Sequence, residues 1–206
     1  ILIRTSLIPI SGTGTSSICA NIAMNMGQNQ PETRTAVVDL VLPIGSIASI
    51  AGYEGLQNIV TVCDMSAEET TPQILRDGLV EMNTWHFNLL AGSPDPESSV
   101  HLKVARIMDV ITSLKEAYDY VFIDIGRSLS RITLPLIQSA DLNIMVVSTD
   151  VSAVAFTKVV MKYMKGKGVD PSSIFTILNR AVGLEGMSKM DVEKILEIPI
   201  KATVPY

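Results

Sequence analysis

The chain has 206 residues, 47% of them apolar, and a net charge of −5. That is enough apolar content for one substantial core and too much for a disordered chain, while the negative charge disfavours broad electrostatic capture of nucleic acid or anionic lipid. Mean hydropathy is positive at +0.34, yet no apolar run reaches the roughly 18 residues that a membrane-crossing helix needs.

Residues 1–9 form an apolar, β-branched run that reads as a first strand, and helical periodicity follows over 15–28. "TRTAVVDL" (33–40) predicts a second buried strand with Asp39 near its end. Residues 56–65 and 72–82 read as short helices around a polar connection, and "HFNLLAGS" (86–93) as a third strand. The loop "SPDPESS" leads into an amphipathic helix at 101–117, with Val104, Ile107, Met108, Val110, Ile111 and Leu114 at helical spacing. "YDYVFIDIG" (118–126) predicts a fourth strand, apolar enough to be buried on both faces. Then come a helix at 129–138, a strand at 142–149, a helix at 152–165, a strand at 173–179, a short helix at 188–196 and a strand at 199–204.

Strands alternating with helices imply βαβ crossovers and a mostly parallel sheet covered on both faces: a three-layer α/β fold in one domain over 1–206. In such sheets ligands bind beyond the carboxyl ends of the strands. The segments to examine are therefore 10–17, 39–45, 92–97, 124–128, 150 and 179–180.

The first of these, within "SLIPISGTGTSS" (6–17), has two readings. As a dinucleotide fingerprint, Gly12 and Gly14 fit, Ser17 replaces the third glycine, and Asp39 is the ribose-binding acid. As a Walker A variant, Gly14 is the second glycine, Thr15 replaces the lysine and Ser16 is the magnesium-binding hydroxyl. Asp124 favours the second reading. An apolar strand ending in a carboxylate holds magnesium in mononucleotide-binding proteins, whereas a dehydrogenase has no use for it. Taken alone, Asp124 also fits a simple turn cap, and Asn179-Arg180 a polar strand end.

Other candidates are weaker. Cys19 and Cys63 follow no metal spacing and read as buried thiols of a reduced, cytoplasmic protein. His86 and His101 are isolated. Ser93, Ser98 and Ser99 lack a nucleophile elbow. The methionines at 24, 26, 108, 161 and 164 read as core filler, and the lysines of "KVVMKYMKGK" (158–167) as a solvated helix face.

In order, "GTGTSS…NIA", "AVVDLVLPIG", "LLAGSPDPE", "YDYVFIDIG", "ILNR" and "VPY" resemble the MinD/ParA group of deviant Walker ATPases, and most closely its TadZ/CpaE branch, which localises Flp-type (tight adherence) pilus machinery. The resemblance spans essentially the whole chain. It implies the P-loop NTPase fold and binding of ATP or ADP with Mg²⁺. The nucleotide falls to Ser11, Gly12, Thr13, Gly14, Thr15, Ser16 and Ser17, with Asn179, Arg180 and Pro205 beside the base. Ser16, Asp39 and Asp124 fall at the metal. It also implies a homodimer, pilus or secretion machinery as partners, and recruitment to the cell pole or the inner face of the membrane. Because Ile1 is not an initiator methionine, the chain reads as a piece of a longer protein, with a receiver-like domain expected before it. The MinD-type C-terminal membrane helix is not present in this sequence.

The departures bear on catalysis. The family's signature lysine falls on Ile10 and the Walker A lysine on Thr15. The second acid of its D-x-D segment, associated with the attacking water, falls on Val41, which leaves Asp39 as the one acid there with a possible catalytic part. Loss of a comparable cationic contact costs about 10³ to 10⁵ in rate. Hydrolysis is therefore expected near background, with Arg127 as the only replacement cation close to the motif. A true ATPase of the positioning type and a dinucleotide-binding oxidoreductase are the alternatives.

Overall fold

A computed structural model describes residues 3–9, 14–126, 129–179 and 186–205. The strands are β1 (Ile3–Pro9), β2 (Thr35–Asp39), β3 (Val80–Met82), β4 (Phe87–Leu90), β5 (Tyr120–Asp124), β6 (Leu142–Ser148), β7 (Ile174–Asn179) and β8 (Ala202–Val204). They form one sheet in the order β3-β4-β2-β5-β1-β6-β7-β8. Every neighbouring pair is parallel except β3, which runs antiparallel to β4.

The helices are α1 (Thr15–Asn29), α2 (Ile47–Ala51), α3 (Ile59–Asp64), α4 (Pro72–Gly78), α5 (Pro96–Val100), α6 (Ile107–Ala117), α7 (Thr133–Ser139), α8 (Val151–Gly166) and α9 (Lys189–Leu196). Alternate strand residues serve opposite faces, as the two-residue side-chain period requires. Ala36, Val38, Val121, Ile123, Met145 and Val147 join one core with apolar residues of α3, α4 and α6–α9. Val37, Phe122, Ile144 and Val146 join the other with Cys19, Ala20 and Ala23 of α1 and Ile47 of α2. Burial on both faces explains why β2 and β6 read as continuous apolar runs rather than alternating ones.

α1 lies close to the sheet because its inward positions are small. At Gly27 a Cβ would fall 2.1 Å from the His86 carbonyl oxygen, so the last turn of the helix lies backbone to backbone on the β3–β4 turn.

Two predicted elements need correction. The helix expected over 72–82 stops at Gly78. Val80–Met82 is the antiparallel edge strand, paired Val80 to Leu89 and Met82 to Phe87, because contact with a neighbouring strand outweighs the local helical spacing. The loop "SPDPESS" holds the start of a short helix, α5, and α2 forms where no element was predicted. Both helices span only five residues, too few for a period to show. α5 nevertheless carries its signals, an Asp95 side chain that accepts from Ser98 N–H and a proline at its start.

Candidate functional site at the carboxyl ends of the strands

β1 ends at Pro9 and α1 begins at Thr15, and the described loops that follow β2, β4 and β5 gather near the start of α1. Gly14 caps α1 in the left-handed conformation, φ 73°, which suits glycine. It is also in close contact with the end of β7, since a Cβ there would fall 2.9 Å from Asn179 Nδ2. Thr15 is buried, Ser16 half-buried and Ser17 exposed. Ser11, Gly12, Thr13 and Arg180 lie outside the described residues, as do Ile10 and Arg127.

Asp39 and Asp124 are register partners on β2 and β5, and Asp124 is level with Leu7 of β1. Both have no exposed surface. Asp39 Oδ1 accepts from Val41 N–H at 3.0 Å. Its Oδ2 accepts from the N–H groups of Ser46 and Ile47 at 2.7 and 2.8 Å. Three of its roughly four lone-pair positions are thus taken by the loop that leads into α2. Burial raises the Asp39 carboxyl above the usual range, and these three N–H groups pull it back.

Asp124 is less well supplied. Its Oδ1 accepts from Gly126 N–H at 3.2 Å, and its buried Oδ2 has no hydrogen-bond partner. Burial pushes this carboxyl up to about 6. The Ser16 hydroxyl favours its charged form without reaching hydrogen-bond distance, and the charge of Asp39 opposes it. Ser16 Oγ itself accepts from the Ser46 hydroxyl at 2.8 Å, which leaves the Ser16 proton free to turn toward the carboxylate.

Gly45 and Gly92, which lie in segments 39–45 and 92–97, and Ser46, which motif reading passed over, also belong to this site. A Cβ on Gly45 would fall 2.6 Å from Gly92 Cα and 2.7 Å from Asp39 Oδ2. Gly45 N–H donates to the Ser93 carbonyl at 2.8 Å. The β2–α2 and β4–α5 loops therefore pack backbone to backbone over Asp39. The available signal was Gly-Ser before an apolar run, a helix start.

On the far side of β1, Ser148 pairs with Asn179 and Asn179 with Val204, so Pro205 follows one residue beyond the end of β7's partner strand. Asn179 is buried and Pro205 exposed. No lysine or arginine occurs in 14–17, 39–47, 91–97, 124–126 or 148–151.

The buried, unpartnered Asp124 oxygen and the nearby Ser16 hydroxyl are hard oxygen donors of the kind that suit Mg²⁺. Asp39 keeps one lone-pair position for an outer contact through water. Strand order separates this site from the dinucleotide fold. There, the acid-bearing second strand lies next to β1, whereas here β5 stands between them.

No protein-family model matches the chain. Over 195 residues it is 26% identical to an uncharacterised ATP-binding protein of Methanocaldococcus jannaschii, covering 94% of this chain and 70% of the relative. Among solved structures, a ParA family ATPase from Chlorobium tepidum superposes with a TM-score of 0.84 at 23% identity, over 99% of this chain and 84% of that one. The septum site-determining protein MinD of Pyrococcus horikoshii, solved with Mg-ADP, gives 0.78 at 20% identity, over 100% and 82%. At these identities the likeness is one of fold, and the chain has the P-loop NTPase fold of the ParA/MinD ATPases.

Proposed function

We propose that this chain is a MinD/ParA-superfamily protein that binds ATP or ADP with Mg²⁺ at the carboxyl ends of β1, β2 and β5. In this reading it hydrolyses ATP slowly or not at all and works as a TadZ/CpaE-like localisation scaffold for Flp/Tad pilus assembly. The observation that carries the binding half is the bare, buried Asp124 Oδ2 facing Ser16 at the start of α1. An unpartnered carboxylate oxygen is costly to bury, and a cation held between it and Ser16 removes that cost.

In this reading the backbone N–H groups at the start of α1 receive phosphate oxygens. Ser16 and Asp124 hold the metal, and Asn179 and Pro205 flank the base. When bound, Mg²⁺ supplies neutralising charge to the phosphates. Asp39 fixes the β2–α2 loop and, through Ser46, the Ser16 hydroxyl.

Slow turnover follows from charge. ATP brings about four negative charges, and phosphoryl transfer depends on stabilising charge in the transition state. Thr15, at the Walker A lysine position, is buried, and Val41 stands where the second acid would position water. The proposal includes a homodimer that forms without ATP, since Ile10 replaces the lysine that reaches the partner's phosphates in the family.

Calorimetric titration with ATP and ADP, with and without Mg²⁺, tests the binding half. Mg²⁺-dependent binding that Asp124→Ala abolishes is the expected result, and absence of binding to either nucleotide overturns it. A phosphate-release assay tests the other half. Robust turnover lost in Asp124→Ala would make the chain a working positioning ATPase instead. Sedimentation with and without ATP tests the dimer, and strict ATP dependence would count against it.

A further inference from the structure

β3 is one edge of the sheet, and its outer side faces no other described strand. Beside it opens a cavity of about 330 Å³, lined by Tyr53 and Glu54 from the turn after α2 and by Val80, Glu81, Met82 and Trp85 from the β3–β4 hairpin. Both rings are fixed from behind. The Tyr53 hydroxyl donates to the Gln57 carbonyl at 2.8 Å. The ring lies over Gly55, where a Cβ would fall 2.4 Å from the hydroxyl oxygen. Trp85 backs onto Phe87, with ring centroids 6.0 Å apart and tilted by 48°, and its backbone N–H donates to the Met82 carbonyl at 2.8 Å, closing the β3–β4 turn. Phe87 is core, but Tyr53 and Trp85 stay half-exposed toward the cavity. Glu54 is exposed and makes no ion pair among the described residues. Glu81, the register partner of Asn88, carries its side chain to the opposite face of the sheet, where its charge acts on Tyr118.

Two rigid aromatic faces with an unpaired carboxylate are the chemistry that recognises a guanidinium, which stacks flat on an aromatic ring and forks onto a carboxylate. A short, unpaired strand beside the cavity supplies backbone groups for an extended peptide, the arrangement by which sheet edges take up partner strands. The chain's net charge of −5 favours approach of a basic segment. We propose that this edge docks an extended, arginine-bearing segment of a partner protein, paired along β3, with its guanidinium in the cavity walled by Tyr53 and Trp85 and neutralised by Glu54. The surface lies apart from the Asp39–Asp124 site, so its test does not depend on nucleotide binding.

Trp85 is the only tryptophan of the chain, so its fluorescence reports this cavity alone. The probe is the blocked peptide acetyl-Gly-Thr-Val-Arg-Val-Thr-Gly-amide, titrated into the full chain. A saturable change in Trp85 emission is expected. It should weaken about three- to fivefold in affinity in the Glu54→Gln variant, a change at an exposed position that leaves the fold intact, and be unchanged in Glu81→Gln. It should weaken similarly when glutamine replaces the peptide's arginine. Absence of a saturable change overturns the proposal, as does an unchanged response in the Glu54→Gln variant or to the glutamine peptide. Equal affinity for free arginine also overturns it, because that result describes an isolated cation pocket without docking along the edge.

Discussion

Asp39 and Asp124 stand opposite each other in register on adjacent parallel strands, both with no exposed surface, yet they are provided for in opposite ways. Asp39 accepts three backbone N–H groups, while Asp124 accepts one and keeps an oxygen bare. One carboxylate holds the loop together, and the other is held in reserve. Removing charge at the two positions should therefore have opposite effects.

At Asp124, burial pushes the carboxyl up to about 6 from its usual value near 3.8. Between those values the folded chain keeps a proton that the unfolded chain has released. The contribution of this group to stability therefore falls as pH rises from about 4 to about 6 and is level above that, a difference of about 3 kcal/mol. Asp39 is raised in the same direction. Asp124→Asn removes the charge but not the shape. Relative to the parent chain, its melting temperature should be nearly unchanged at pH 4 and higher at pH 7.5. Thermal melts across that range check it, and a pH-independent difference would contradict it.

Asp39→Asn should destabilise at every pH above 4. An amide offers one accepting oxygen where three N–H groups now find two, so at least one of the Val41, Ser46 and Ile47 donors loses its partner. A buried unsatisfied donor costs about 1–3 kcal/mol. Denaturant unfolding should show a loss of about that size with an unchanged slope.

The three-layer sheet was legible in the sequence because the strands carry continuous apolar runs and α6 an unbroken helical period. Asp39 and Asp124 were legible because each ends such a run. That the two are register partners was not legible, since β5 enters the sheet between β1 and β2, and strand order is set by crossovers far apart in sequence. Ser46 and the Gly45–Gly92 contact were hidden for the same reason, because each depends on a residue at least 30 positions away. β3 was lost to local helical spacing, since a three-residue edge strand is defined by its partner β4 and not by its own composition.

Gly92→Ala tests the contact between the β2–α2 and β4–α5 loops. The added methyl group would meet Gly45 Cα at 2.6 Å and Asp39 Cγ at 2.9 Å, and neither is the flexible end of a long side chain. Overpacking of this kind costs about 1–3 kcal/mol. Because it presses on Asp39, it should also weaken Mg²⁺-nucleotide binding. Gly166→Ala, where an added Cβ meets nothing within 4 Å, is the control and should be neutral or stabilising. Parallel melts and calorimetric titrations of the two variants distinguish a local clash from a general effect of losing a glycine.

Ser16 and Ser46 share one hydrogen bond, so deleting either hydroxyl should cost a similar, small amount of stability, about 0.5–1.5 kcal/mol. Their effects on binding should differ. Ser16 faces Asp124 and is a direct metal donor in the proposed reading, while Ser46 only steadies it. Ser16→Ala should lower Mg²⁺-dependent ATP affinity by about tenfold or more and leave affinity measured in chelator unchanged. Ser46→Ala should give a smaller loss of the Mg²⁺-dependent part. Calorimetry with Mg²⁺ and with EDTA on both variants separates the two roles. If Ser46→Ala reproduced the whole loss, the Ser16 hydroxyl would be acting through the position of the β2–α2 loop and not as a donor to the metal.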